Sequence, residues 1–544
     1  MKNIFKITLL ASALAFFTGC ETVELELLEN PNNISTGSAD PNFILNDIQL
    51  TFARNVWNGF NGTDLPLVRM TNQFGAYNNL VDDLTLVGEW QQAYQMFGNV
   101  DLIEAINNAD LDAGGEGIPK ILGVAQILEA YAFMVLVDHV NNVPFSEANQ
   151  PEDFPNPKLD NGAAVYDAQL ELLDDAIANL NSSSPVAPAT DLFYGSFDAD
   201  NWIALANSLK IRAFVNLRLT DPGRATAGIN SAINRGIIDT EAEDFQFQYQ
   251  PIQDPVDSRH PLFINGYSAS GAASYMSNYF FDILNAGDAQ PPFIENGTPD
   301  PRLRYYLYRQ TSSAPSGADL PCDGDGRYDY CYVGNLYWGR DHTDDEGIPN
   351  DVFKRSTFGL YPAGGAFDKD EFLQARQVVD QTLGGEGILP LFTSSHTHFL
   401  LAEAALTLVT AGNAANLLRD GIQLSLDKVE DFANVDDGGL GMTQADKDQY
   451  IARVIQEFNA AGPQGKLAVI SREAFLASWG NAVEIYNTYR RTGFPDLQAP
   501  IIPAGPFPRG FRYPNTEVEN NPNVQQRDLN TPVFWDNNPG GILD

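Results

Sequence analysis

Across 544 residues the chain carries 32 Lys and Arg against 71 Asp and Glu, a formal net charge of -39. A field of that sign repels nucleic acid and anionic lipid surfaces, which argues against both as partners, and it disfavours a strongly anionic polysaccharide. Apolar residues at 44% and aromatics at 11% exclude disorder as the main state, and the excess charge suits a salty medium, where it is screened.

The chain opens on Met1-Lys2-Asn3-Ile4-Phe5-Lys6, an apolar run from Ile7 to Phe17, then Thr18-Gly19-Cys20. The run is about half of the ~20 residues that span a bilayer, so residues 1–19 read as a cleaved lipoprotein signal. Cys20 then becomes the first residue and carries acyl chains, each buried methylene contributing ~0.8 kcal/mol to membrane attachment. Glu21, Glu24, Glu26 and Glu29 follow, an acidic stretch that resembles the surface-export signal of Bacteroidetes lipoproteins. Residues 20–40 read as a lipidated tether. No later segment reads as long and apolar enough to cross a membrane.

Helical periodicity dominates the first half. Over 161–181, Tyr166, Leu170, Leu173, Ile177 and Leu180 recur three or four residues apart, which predicts one apolar stripe on a helix. Trp202, Leu205, Leu209, Ala213 and Leu217 repeat the pattern over 200–218. Thr220-Asp221-Pro222-Gly223 ends that helix and caps another over 224–234. Further helices are predicted over 41–58, 89–108, 118–138, 396–410, 413–429, 443–459 and 466–491. Several pair across short loops. The predicted fold class is therefore mostly α, a tetratricopeptide-like scaffold of helical hairpins, although the full signature of that repeat is not evident.

Two regions break the pattern. Residues 235–395 are rich in Gly, Pro, Asp and aromatics, with helical islands near 273–286 and 300–310. The tail 494–544 carries Pro495, Pro500, Pro503, Pro506, Pro508 and Pro514 and cannot hold a long helix. Both read as long irregular loops over the scaffold, where binding residues concentrate. Length alone suggests roughly three to four domains, yet no linker divides the chain, and 41–544 reads as a single domain.

Catalytic signatures are missing: no Gly-x-Ser-x-Gly, His-Glu-x-x-His or phosphate loop occurs, so no catalytic residue, cofactor or metal is assigned. His396 and His398 sit two apart on a predicted helix and face away from each other. The run Asp341-His342-Thr343-Asp344-Asp345-Glu346 reads as a solvated acidic loop, with the acid pair of a surface endo-glycosidase as the alternative. Asp323, Asp325 and Asp329 superficially resemble a calcium loop, but Tyr328 stands where glycine is required and no glutamate closes the frame. With Cys20 assigned to lipid, Cys322 and Cys331 read as a disulfide of an oxidising exterior rather than as a zinc pair.

Aromatic residues carry the binding reading. Trp90, Trp202 and Trp479 fall within helical stripes and are assigned to the core. Trp57 precedes the turn-rich Asn58-Gly59-Phe60-Asn61-Gly62, and Trp338 lies in the loop Gly334-Asn-Leu-Tyr-Trp-Gly-Arg-Asp341. Sugars stack their C–H faces on indole and phenol rings while their hydroxyls pair with Asn, Asp and Arg. Trp57, Tyr337 and Trp338 are expected to stack on a saccharide, and Asn78, Arg340 and Asp341 to bond its hydroxyls. Each ring could instead fold down onto the scaffold.

Several blocks recur in a familiar order: Glu29-Asn30-Pro31-Asn32; Tyr131 to Asp138 running to Val143-Pro144-Phe145; Ala164-Val165-Tyr166; Leu173 to Ile177. Trp202 with Ala206 to Lys210 and Arg212 follows, then Asp300 to Leu303, Leu401 to Ala405, and Pro508 to Pro514. Together they make the mature chain similar to the SusD/RagB family, nutrient-binding outer-membrane lipoproteins of Bacteroidetes. The resemblance implies a tetratricopeptide-like scaffold capped by loops. It also implies a surface lid on a SusC-like TonB-dependent transporter, capturing glycans or other oligomers, with a neutral glycan such as a β-glucan as the best expectation and a peptide as the alternative. The matching blocks belong to the scaffold, so the resemblance assigns no binding residue.

Overall fold

The computed structural model describes residues 39–285, 299–346 and 350–538. The signal peptide 1–19, Cys20 and the tether as far as residue 38 lie outside the described residues.

Asp40 caps the first helix, its carboxylate accepting from the Asn42 N–H at 2.9 Å. That helix, Pro41–Leu50, runs through a π-helical segment, Thr51–Trp57, directly into Asn58–Leu67. Helix Val87–Asp112 packs on Pro119–Val140, which packs in turn on Gly162–Leu180; Ala199–Asn216 follows and pairs with Pro222–Ile233. In the second half Ser394–Thr407 pairs with Ala414–Asp431, and Gln444–Ala460 with Pro463–Ala477. Side-chain N-caps from Asn161, Asp198, Asp221, Asn413 and Thr443 start five of these helices where the sequence places them. The scaffold is mostly α and built of helical hairpins.

Three expectations need correction. Pro119–Val140 is in fact long and apolar enough to cross a membrane, with a mean hydropathy of 1.7, but 94% of that stretch is buried inside the fold, so it is a core helix. The single helix predicted over 466–491 is two, Pro463–Ala477 and Val483–Thr492, separated where Gly480 adopts a left-handed φ of 96°. The loop-rich region also holds two small antiparallel sheets. Phe245–Gln248 pairs with Ile388–Phe392, and Leu307–Tyr308 with Thr357–Phe358. The first anchors the region to the scaffold, since the Phe245 ring lies 4.3 Å from Phe193 and 5.6 Å from Trp202.

The tail returns across the scaffold with one short helix, Asn515–Asn520. Trp535 Nε1 donates to Asp138 at 2.8 Å and Tyr513 Oη to the Asn142 carbonyl at 2.8 Å.

Candidate functional site

Three loop segments meet at one place. Thr71 bridges Met276, Ser277 bridges Arg340, and Phe74 bridges Thr343. The Asn72 N–H donates to the Tyr275 carbonyl at 2.9 Å, and the Gly75 N–H to the Thr343 carbonyl at 3.2 Å. The tail adds a fourth strand of support, with the His342 N–H donating to Gln498 Oε1 at 2.9 Å and the Ile501 N–H to the His342 carbonyl at 3.2 Å.

Asp341 ties this junction together. Its carboxylate accepts from Asn278 Nδ2 (2.6 Å), Gln498 Nε2 (3.0 Å) and the backbone N–H groups of Tyr330 (2.9 Å) and Cys331 (3.1 Å). Burial pushes its carboxyl up, against the pull of those four donors. A disulfide joins Cys322 and Cys331, and the loop it closes lies against 341–346: Tyr328 Oη donates to Asp344 at 2.9 Å, and Arg327 pairs with Glu346 at 2.7 Å. Of the calcium-like set, Asp325 pairs with Arg327 at 2.6 Å and Asp329 accepts from Gln498 Nε2 at 3.1 Å. Among the described residues no group of three His, Cys, Asp or Glu side chains is placed to hold a metal.

Beneath the loop lies a cavity lined by Tyr275, Tyr328, Tyr332, Trp338, Arg340 and Asp344. Of the six predicted contact residues, Trp338, Arg340 and Asp341 line this cavity, and the space inside is about 30 Å³, room for two or three waters at ~10–15 Å³ each and too small for a sugar ring.

Most predicted contact residues are consequently enclosed. Trp57 is 0% exposed, its indole 4.7 Å from Tyr131 and 5.9 Å from Phe52, because the helix continues through Asn58–Leu67 instead of turning out. Tyr337 is 2% exposed, set against Phe281 at 5.2 Å and under the Arg309 guanidinium at 5.0 Å. Trp338 is 4% exposed and its Nε1 donates to the Ser313 carbonyl at 3.1 Å. Gly334, Asn335 and Leu336 all take left-handed backbone, and this reversal folds both rings inward. Arg340 and Asp341 are also buried and hold the junction. The stretch Asp341 to Asp344 is buried rather than solvated; only Asp345 and Glu346 reach the surface. Asn78 alone among the six stands exposed, its Oδ1 accepting from Arg512 at 3.4 Å.

The exposed aromatic at the junction is Phe74, 42% accessible. Its ring meets Tyr275 edge-on at 5.9 Å, with the Arg340 guanidinium 5.5 Å from its centroid. Gly75, at φ 70°, lets flanking polar groups close in: a Cβ there would meet Asn79 Nδ2 at 3.0 Å and Asp345 Oδ2 at 3.8 Å. The Asn72 amide, Ser277 Oγ and Asn278 Oδ1 are buried behind this face without a hydrogen-bond partner. A ring flanked by amides and a carboxylate is the mixture expected for a saccharide. Phe74 is not among the predicted contacts, since a lone Phe has no polar tip to mark it as a surface ring; its polar setting, Asn72-Gln73-Phe74-Gly75-Ala76-Tyr77-Asn78-Asn79, carries the signal.

Within the acidic run three carboxylates already have partners. Asp341 is held by four donors, Asp344 accepts from Tyr328 and lies 3.4 Å from Arg340, and Glu346 pairs with Arg327.

A SusD-like family model described as "Starch-binding associating with outer membrane" matches residues 31–317 and 354–514. Solved structures with the same fold include a SusD homolog from Bacteroides uniformis, 18% identical with a TM-score of 0.64, covering 92% of this chain and 99% of that one. A chitin-binding SusD homolog from Flavobacterium johnsoniae is 16% identical with a TM-score of 0.62, at 92% and 99% coverage. A further chitin-binding protein is 20% identical with a TM-score of 0.62, at 92% and 100%. No curated protein matches the chain.

Proposed function

The chain belongs to the SusD-like family, and from that membership we propose that it is a non-catalytic, lipid-anchored protein of the outer cell surface. It captures a neutral glycan and delivers it to a SusC-like TonB-dependent transporter, the lipid on Cys20 fixing one end while the body swings as a lid. The observation that carries this reading is the match to a starch-binding, outer-membrane-associated family over most of the chain. The ligand lies across Phe74, whose ring takes the C–H face of a sugar while Asn78, Asn79 and Asp345 bond its hydroxyls. Arg340, Asp341, Tyr337 and Trp338 act from behind as positioning residues. A net charge of -39 favours a neutral polymer. β-Glucans and starch head the panel to test, and chitin oligosaccharides join it because two relatives of the same fold bind chitin.

Native gels cast with each neutral glycan, then with a protein digest, separate glycan capture from peptide capture. The expected result is retardation by at least one glycan and none by the digest; the reverse would overturn the reading. Incubation with the retarding glycan is expected to release no new reducing ends.

A further inference from the structure

A concave surface lies further along the chain from Phe74. From Asn78 the tail follows the segment toward helix Val87–Asp112: Arg512 Nη2 reaches Asn78 Oδ1 at 3.4 Å, and the Asn515 N–H donates to the Asp83 carbonyl at 2.7 Å. There the short helix Asn515–Asn520 and the loop around 144–157 enclose a cleft of about 420 Å³ with the start of Val87–Asp112. That volume falls within the ~300–1,000 Å³ of small-molecule sites.

The cleft is lined by Trp90, which shows only an edge at 7% exposure, with Tyr94, Pro144 and Pro157, and Asn149 and Glu517 are among its polar groups. The Trp90 and Tyr94 rings stand 5.1 Å apart, inclined at 44°. Tyr94 Oη is committed to the Pro144 carbonyl at 2.7 Å, so the ring is fixed in place. Glu517 accepts from Asn521 Nδ2 at 3.0 Å through one oxygen, leaving the other oriented by the same contact. Among the described residues no Lys or Arg lines the cleft. Aromatic rings with an amide and a carboxylate, and no cation, suit hydroxyls and an apolar ring face, and they repel an anion.

We infer that this cleft is a second saccharide subsite, taking a neutral sugar unit further along the same polymer that lies on Phe74. This rests on the glycan-binding reading above and extends it from one contact to a track running from Phe74 past Asn78 to Trp90. Two linked contacts on one chain act through effective concentration, so the cleft raises affinity for a long polymer and not for a short oligomer.

The test uses the full mature chain and three probe pairs: laminarin with laminaritriose, amylose with maltotriose, and chitohexaose with chitotriose. Ala148 lines the cleft and is partly exposed, so Ala148→Trp fills the space without removing a packed ring. Glu517→Ala is the second variant, guarding against misfolding of the first, and thermal melting reports on both. For the pair that the unaltered chain binds, both variants are expected to bind the polymer about tenfold or more weakly, with trisaccharide affinity unchanged. Polymer affinity equal to the unaltered chain in two folded variants would overturn the second subsite while leaving the Phe74 reading intact. If the unaltered chain binds no member of any pair, the glycan reading itself fails and the subsite with it.

Discussion

Arg212 stands between two carboxylates that would otherwise be buried alone. It reaches Glu484 and Asp138 at 2.7 Å each, all three side chains almost fully enclosed. Burial alone would raise the Glu484 carboxyl, but Arg212 and His396 hold it down at about 2. Glu403, between Arg491 and Arg218, is likewise held at about 2. Both folded values lie below the ordinary one of 4.5, so the unfolded chain binds more protons in between. Their stabilisation is complete above pH 4.5 and disappears as the pH falls toward 2. Removing one partner of such a pair leaves an uncompensated charge, and Arg212→Ala is expected to cost about 3–5 kcal/mol in denaturant unfolding. Near-native stability of that variant would contradict the account. Glu129 has the opposite sign: burial, then Asp101 and Glu104, push its carboxyl up to about 8. Its ionisation opposes folding increasingly as the pH rises from 4.5 to 8, so Glu129→Gln is expected to raise the melting temperature at pH 8 and leave it nearly unchanged at pH 4. Equal shifts at the two pH values would sink that reading. Single residues were also the hardest feature to read in advance. Asn58-Gly59-Phe60-Asn61-Gly62 has turn composition, yet Gly59 serves close packing, since a Cβ there would lie 2.1 Å from Glu89 Oε1. Asn61 spans to the Gly480 carbonyl at 2.9 Å and the Ala482 N–H at 2.7 Å. Such tertiary partners, more than 400 positions away, leave no local trace, and they are why Trp57 points inward.

At the scale of elements, apolar periodicity was a reliable guide wherever a helix has one buried face, as in Gly162–Leu180. It was less so for Pro119–Val140, which is buried nearly all round and therefore reads like a membrane span. The two small sheets escaped because their strands run only two to five residues and pair across 50 to more than 140 positions. The break at 478–482 is specified by Gly480, whose Cβ position lies 2.6 Å from Pro362 Cγ at φ 96°. Gly480→Ala is therefore expected to destabilise the chain by at least ~1 kcal/mol, measured as a lowered denaturation midpoint, and an unchanged midpoint would contradict it. The loop closed by Cys322 and Cys331 braces the junction through Tyr330 and Cys331, both donating to Asp341. A bridge over so short a loop constrains it by roughly 2–3 kcal/mol. Cys322→Ser with Cys331→Ser is expected to weaken glycan binding severalfold while the scaffold's main thermal transition stays in place. Unchanged titration curves would show that the loop does not support the face.

For the whole molecule, order and spacing of scaffold blocks identified the family and the hairpin architecture, since those blocks are set by packing. The binding face was only partly legible. The sequence pointed to loop 334–346 and to Asn78, beside the face proposed here, but exposure depends on how the loop reverses, and that follows from backbone conformation at Gly334, Asn335 and Leu336. A charge of -39 is a property of the entire surface and bears on the ligand as a whole. Binding of a neutral polymer releases few counterions, so its affinity is expected to change little between low and high salt, whereas a charged polymer would show a steep dependence. The most direct measurement is calorimetric titration of the mature chain and its Phe74→Ala variant with the neutral glycan that retards it on gels. A saturable heat is expected for the unaltered chain and, in the folded variant, affinity on the order of tenfold weaker, the equivalent of ~1.4 kcal/mol for a lost ring face. Identical titrations for the two proteins would contradict it.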